Sequence, residues 1–218
     1  MLKYVLFDMD GTILDTEKIY HKVEMEAAGE LGFDFFTHDD AYDMRSLYSA
    51  GANELMEERY GGRFDYFAYH DLTNIKFDVY INEHGIPLKP GIFEILEYLK
   101  EKNIPTSIVT ATRMDRAQKN LSETGLEGHF NDLISAHEVT LGKPHPDPYL
   151  FACEKLGIKP EEALCVEDSP NGVRSGAAAG CITVMIPDLT EPTEDIIPLC
   201  HAVVPSLISL KDVIDDLM

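Results

Sequence analysis

The chain has 218 residues, with 39 Asp plus Glu against 18 Lys plus Arg, a formal net charge of −21. That balance repels phosphate backbones and anionic headgroups, so the expectation is no nucleic-acid partner and no membrane partner. The hydrophobic fraction of 44% supports a packed core, and no apolar stretch approaches the roughly 20 residues of a membrane span or the pattern of a secretory leader, so a cytoplasmic protein is expected.

The first apolar run, residues 4–7, stops at Asp8 and reads as a buried strand. From residue 15 to about 85 no strand pattern appears. Helical patterns cover 15–31, 53–60 and 64–83, with Asp15 and Thr16 as capping candidates and Gly61-Gly62 between the last two. Short apolar runs then recur at 106–110, 132–135, 163–166, 182–186 and 202–204. Between and after them lie helical stripes, such as Ile92, Ile95, Leu96 and Leu99, or Leu207, Leu210, Val213, Ile214 and Leu217. Strands alternating with helices predict an α/β fold, a parallel sheet covered on both faces. The helical interval predicts a small inserted domain. The expected division is 1–14 and 87–218 for the core and 15–86 for the insert, joined near 14–15 and 84–89.

Ligands bind at the carboxyl ends of such strands. The first strand is followed by Asp8-Met9-Asp10-Gly11-Thr12, and the second ends in Thr110-Ala111-Thr112-Arg113. Beyond the third comes Leu141-Gly142-Lys143-Pro144-His145-Pro146-Asp147, and beyond the fourth Glu167-Asp168-Ser169-Pro170-Asn171-Gly172. Taken singly, each has a bland reading. Asp8 and Asp10 suit a strand-ending turn, Lys143 a solvated surface and Thr110 an ordinary strand position. Ser169 and Pro170 suit a helix start, and Gly172, Gly176 and Gly180 a close helix–sheet approach. Neither a dinucleotide fingerprint nor a P-loop is present. The histidines lack metal-site spacing, and the four cysteines read as reduced core residues.

Jointly the four clusters say more. Carboxylates crowded at one sheet end repel one another unless a cation sits among them. Oxygen ligands without His or Cys suit Mg²⁺. Such an ion, a lysine and hydroxyl side chains meet the electrostatic needs of phosphoryl transfer.

In this order and spacing, Asp8-Met9-Asp10-Gly11-Thr12, Thr110, Lys143-Pro144 and Glu167-Asp168 resemble the four motifs of the haloacid dehalogenase superfamily. The runs Gly142–Pro148 and Glu167–Gly172 are similar to its β-phosphoglucomutase-like phosphatases. The resemblance implies a Rossmann-like, doubly wound core with a helical cap and Mg²⁺-dependent hydrolysis of a small phosphorylated, sugar-phosphate-like metabolite. It implies Asp8 as nucleophile, Asp10 as acid and base, and Thr110 and Lys143 as holders of the phosphoryl group. Asp8, Asp10 through its carbonyl, Glu167 and Asp168 are the implied metal ligands. Ala111, Arg113 and Arg45 are the further substrate-contact candidates, and a monomer is expected. A mutase on the same core is the alternative reading, and a phospho-accepting signalling module a more distant one. Against the mutase, Tyr20 falls where the mutase carries a cap histidine, His21 comes one residue later, and 44–49 lacks its Gly-then-Arg loop.

Overall fold

In the computed structural model, which describes residues 1–218, the apolar runs form one six-stranded sheet. The strands are β1 (Tyr4–Phe7), β2 (Thr106–Thr110), β3 (Asp132–Ser135), β4 (Ala163–Glu167), β5 (Ile182–Met185) and β6 (Ala202–Val203). All neighbours pair in parallel, in the order β3-β2-β1-β4-β5-β6. Every residue of β1, β2 and β4 is buried, as strands covered on both faces must be. Side chains alternate between two cores because successive Cβ atoms point to opposite faces. Val5 and Phe7 join Ile108, Leu164 and Val166 in the larger core, while Tyr4 and Leu6 join Tyr149, Ala152 and Cys165 in the other.

Four helices directly follow β1: α1 (Glu17–Glu30), α2 (His38–Met44), α3 (Ser49–Tyr60) and α4 (Tyr66–His84). They bury a cluster of their own around Ala27, Phe36, Met44, Met56, Phe64 and Tyr69. A smaller cluster of Ile19, Val23, Phe77 and Ile81 seals α1 against α4. The remaining helices are α5 (Ile92–Glu101), α6 (Met114–Glu123), α7 (Asp147–Leu156), α8 (Pro170–Ala179) and α9 (Leu210–Leu217). None of the helices is long and apolar enough to cross a membrane.

The two connections between these regions run side by side. Leu14 bridges Leu88, the Asp15 amide donates to the Pro87 carbonyl at 2.8 Å, and the Lys89 amide donates to Ile13 at 3.0 Å. Lys89 adds ion pairs to Asp15 at 3.0 Å and Asp188 at 2.7 Å.

Local differences from the sequence pattern have identifiable causes. Helix α2, unpredicted, is only seven residues of polar character, started by a capping box in which Thr37 and Asp40 bond each other's backbone amides. Helix α3 begins at Ser49, ahead of its apolar pattern. Thr16 precedes α1 but makes no capping bond, because its hydroxyl donates to Asp10 instead. Gly180 does not serve helix–sheet approach; at φ +85° it ends α8 in a left-handed cap. Gly176 does approach the sheet, where a Cβ would press on Thr183 and Cys165.

Candidate active site

The strand order places β1 beside β4, and the chain winds in opposite directions from that point, leaving a crevice at the carboxyl ends. Asp8 follows β1, Glu167 ends β4 and Asp168 comes next. One carboxylate oxygen from each lies within 4.8 Å of the others, and all three residues are buried. Lys143 arrives from the loop after β3. It is 0% exposed, so its surface-residue reading fails. Its Nζ bonds Asp8, lies 2.7 Å from Glu167 Oε1 and donates to the Val109 carbonyl at 3.2 Å. The Tyr149 hydroxyl, from α7, donates to Glu167.

Burial sets the protonation landscape. It would lower Lys143, but the Asp8 and Glu167 carboxylates beside it win and raise the ammonium pKa. Burial lifts Glu167 to about 7, with Lys143 opposing and Asp8 reinforcing the shift. Asp168 is pushed well up by burial, against the pull of Arg45.

Two oxygens of this cluster, Glu167 Oε2 and Asp168 Oδ1, are buried with no hydrogen-bond partner. Unsatisfied buried acceptors are costly and rare. The neighbouring glycines let these carboxylates sit directly against the backbone. A Cβ on Gly11, itself at φ +81°, would collide with Asp168, and one on Gly172 would collide with Glu167. Hard oxygen donors, unpartnered and crowded, fit a divalent cation such as Mg²⁺.

Asp10 lies beside the cluster, half-buried. Thr16 donates to its Oδ1 at 2.8 Å and Thr112 to its Oδ2 at 2.7 Å. Burial pushes its carboxyl up to about 6, with Thr112 and Thr16 opposing and the Asp8 charge adding. Thr110 is buried, and its hydroxyl accepts from the Thr112 amide at 3.0 Å. Asp8, Asp10, Thr110 and Ala111 form the floor of a cleft of about 620 Å³, whose roof is built by Glu17, Tyr20, Glu24, Tyr66, Tyr69 and Thr73. Lys143, Glu167 and Asp168 lie behind that floor.

The cleft's arginines are all committed. Arg113 is exposed and pairs with Asp115 at 3.0 Å. Arg116 of α6 makes a two-pronged bond to Asp78 of α4, at 2.8 and 2.9 Å. Arg45, expected at the distal part of a substrate, is buried instead against the acids. It donates to Glu17 at 2.8 Å and to Thr190 at 3.1 Å, and it bonds Asp168. Tyr20 stacks on Phe77 with ring centroids 4.0 Å apart, whereas His21 turns away to His38 and Tyr42.

Sequence reasoning passed over Thr16, Glu17, Thr112 and Tyr149. Thr112 has a signal of its own, a hydroxyl two residues beyond the end of β2. Glu17 and Tyr149 carry no local signal, since their partners lie 28 and 18 residues away, and Thr16 reads as a helix cap although its partner Asp10 is only six residues back.

Fold and site together define an α/β enzyme whose acid-and-lysine crevice opens under a layer of helices. The model of the haloacid dehalogenase-like hydrolase family matches residues 2–180, and the chain belongs to that family. It is thus a haloacid dehalogenase-like hydrolase, and curated relatives are named as phosphatases. Validoxylamine A 7'-phosphate phosphatase of Streptomyces hygroscopicus subsp. limoneus is 32% identical, covering 84% of this chain and 85% of its own. Hexitol phosphatase A of Escherichia coli is 30% identical over 84% of this chain and 82% of its own. Among solved structures, a putative β-phosphoglucomutase from Bacteroides vulgatus superposes with a TM-score of 0.77 at 27% identity, covering 97% of this chain and 86% of that one.

Proposed function

We propose that the protein is a Mg²⁺-dependent phosphatase of a small sugar-phosphate-like metabolite, acting through an aspartyl-phosphate on Asp8. The observation that carries this reading is the buried set of Asp8, Lys143, Glu167 and Asp168 at the switch point, with two carboxylate oxygens unpartnered. In this reading residues 1–14 and 87–218 are the catalytic core, and residues 15–86 are a cap that closes over it.

An Asp8 carboxylate oxygen attacks phosphorus, and the phosphorus–oxygen bond to the sugar or polyol breaks. Protonated Asp10 gives its proton to the departing oxygen, a role suited to a carboxyl raised to about 6 and aimed by two threonines. Asp10 then takes a proton from water as that water attacks phosphorus, releasing phosphate and restoring the Asp8 carboxylate. Thr110 and Lys143 hold the transferring group, and Lys143 also offsets the Asp8 charge that would repel it. Asp8, the Asp10 carbonyl, Glu167 and Asp168 would hold the ion. The ion supplies charge neutralisation that makes anion-on-anion attack feasible.

The mutase alternative needs a second site for phosphate, hence free cations at the far end of the cleft. Every arginine there already has a carboxylate partner, which favours hydrolysis.

A panel of phosphorylated metabolites, assayed with Mg²⁺ and with EDTA, tests the proposal. Phosphate release from monophosphates, abolished by EDTA and restored by Mg²⁺, is expected. Undiminished turnover in EDTA refutes the metal. Efficient conversion of β-glucose 1-phosphate to glucose 6-phosphate, primed with the bisphosphate, promotes the mutase.

A further inference from the structure

The far end of the cleft differs from its floor. On α1, Glu17, Tyr20 and Glu24 follow i, i+3, i+7 spacing and share one face. Glu17 touches the arginine of the acid cluster, so Glu24 lies about 10 Å further along the helix axis. Opposite it on α4, Tyr66, Tyr69 and Thr73 repeat the same spacing and line the same cavity. Tyr69 is 2% exposed and Thr73 5% exposed. Their hydroxyls are close enough to bond each other, and neither finds a partner anywhere else in the protein. Two buried hydroxyls with only each other for a partner, at the end of a substrate-sized cavity, leave hydrogen-bonding capacity unused.

We propose that Glu24, Tyr69 and Thr73 form a hydroxyl-reading subsite for the neutral polyol or sugar tail of the phosphate ester. This rests on the phosphatase reading and adds which end of the cleft selects the substrate and how. A hydroxyl both donates and accepts, so one tail hydroxyl takes the proton that the pair leaves free and donates to a lone pair that it leaves unused. Glu24 suits the same partner. Burial, with Glu17 adding, pushes its carboxyl up to about 8, so that near neutral pH it keeps a proton to donate beside an oxygen that accepts. A second phosphate finds nothing to neutralise it here, because Arg45, Arg113 and Arg116 are held by Glu17, Asp115 and Asp78. The subsite therefore accepts hydroxyls and rejects anions.

The test compares kcat/KM for sorbitol 6-phosphate with that for p-nitrophenyl phosphate, an ester without hydroxyls. The ratio is independent of how much of a variant is folded. Thr73→Val and Tyr69→Phe should each lower it about tenfold, mainly through KM, the size of one lost hydrogen bond. Glu24→Lys supplies the missing cation and should raise turnover of β-glucose 1,6-bisphosphate relative to sorbitol 6-phosphate about tenfold or more. Unchanged ratios in all three variants overturn the subsite, as does a parallel loss on both esters. If the wild-type protein with Mg²⁺ hydrolyses neither ester, the phosphatase reading fails separately. Calorimetric titration with sorbitol 6-phosphate then decides the subsite alone: weaker binding by Thr73→Val than by wild type supports it, and equal binding or none overturns it.

Discussion

The two ends of the cleft solve opposite electrostatic problems. At the floor, charge is dense and buried: three carboxylates crowd together, Asp8 and Glu167 paired with Lys143 and Asp168 with Arg45, and two of their oxygens are left unpartnered. At the roof, the atoms with spare hydrogen-bonding capacity are neutral hydroxyls, and the carboxyl beside them, Glu24, leans toward keeping its proton. The floor is fixed by strands, whose ends cannot shift without breaking the sheet. The roof is fixed by side chains on two helices that pack against each other. Chemistry common to a family belongs on the rigid part, and the choice of substrate on the part that can vary.

Breaking the floor should have the largest effects. Asp8→Asn keeps the shape but replaces the proposed nucleophile, and turnover should fall roughly a thousandfold or more in steady-state assays. Near-normal turnover would remove Asp8 from the mechanism. Lys143→Met leaves Asp8 and Glu167 buried without their cation. A loss of about 3–5 kcal/mol in denaturant unfolding is expected along with lost activity. A stability equal to that of the wild type would mean that the lysine does not hold the floor together.

Roof substitutions should be gentler. Glu24 holds its proton up to about 8 when folded, against an ordinary value of 4.5, because burial dominates, Glu17 adds and Arg45 only partly opposes. Tyr66 and Tyr69 face it from α4. Between those values the native state binds more protons than the unfolded chain, so this group's contribution to stability falls as pH rises. Glu24→Gln should therefore melt at least about 2 °C above wild type beyond about pH 8, with the gap closing below about pH 4. A gap independent of pH would show that Glu24 is not desolvated. The smallest effect belongs to the tie between the regions. Arg116→Gln cuts a partly exposed pair, so melting should shift by less than about 1 °C while KM rises about two- to threefold. A large fall in kcat would instead place Arg116 at the reacting phosphoryl group.

The same division governs what the sequence discloses. Buried parallel strands are continuous apolar runs, so all six are visible, and four of them are followed by the polar clusters that mark the crevice. Proximity at the floor follows from strand order, which alternation and handedness constrain. The helical region resists such reasoning. Helix α2 is too short and polar to show a period, and its start depends on the reciprocal Thr37–Asp40 bonds. Arg45 illustrates the limit. Its position in sequence offers a free cation to the substrate, while its actual partners, Glu17, Thr190 and Asp168, come from three remote segments. Lys143 misleads in the other direction, because a lysine is usually solvated and this one is sealed between two acids.

The bond between Lys143 and Asp8 joins residues 135 positions apart, with all four roof helices lying between them. A contact of such span closes late in folding, because chain entropy opposes it until the intervening segments have condensed. Recovered activity during refolding is therefore a clock for the final event. Fluorescence or circular dichroism should register helices and partial sheet first, and catalysis should lag behind both. A nick in the roof that leaves the strands intact should spare secondary structure while delaying that last step. The enzyme thus carries its own assay for complete assembly in the placement of one lysine.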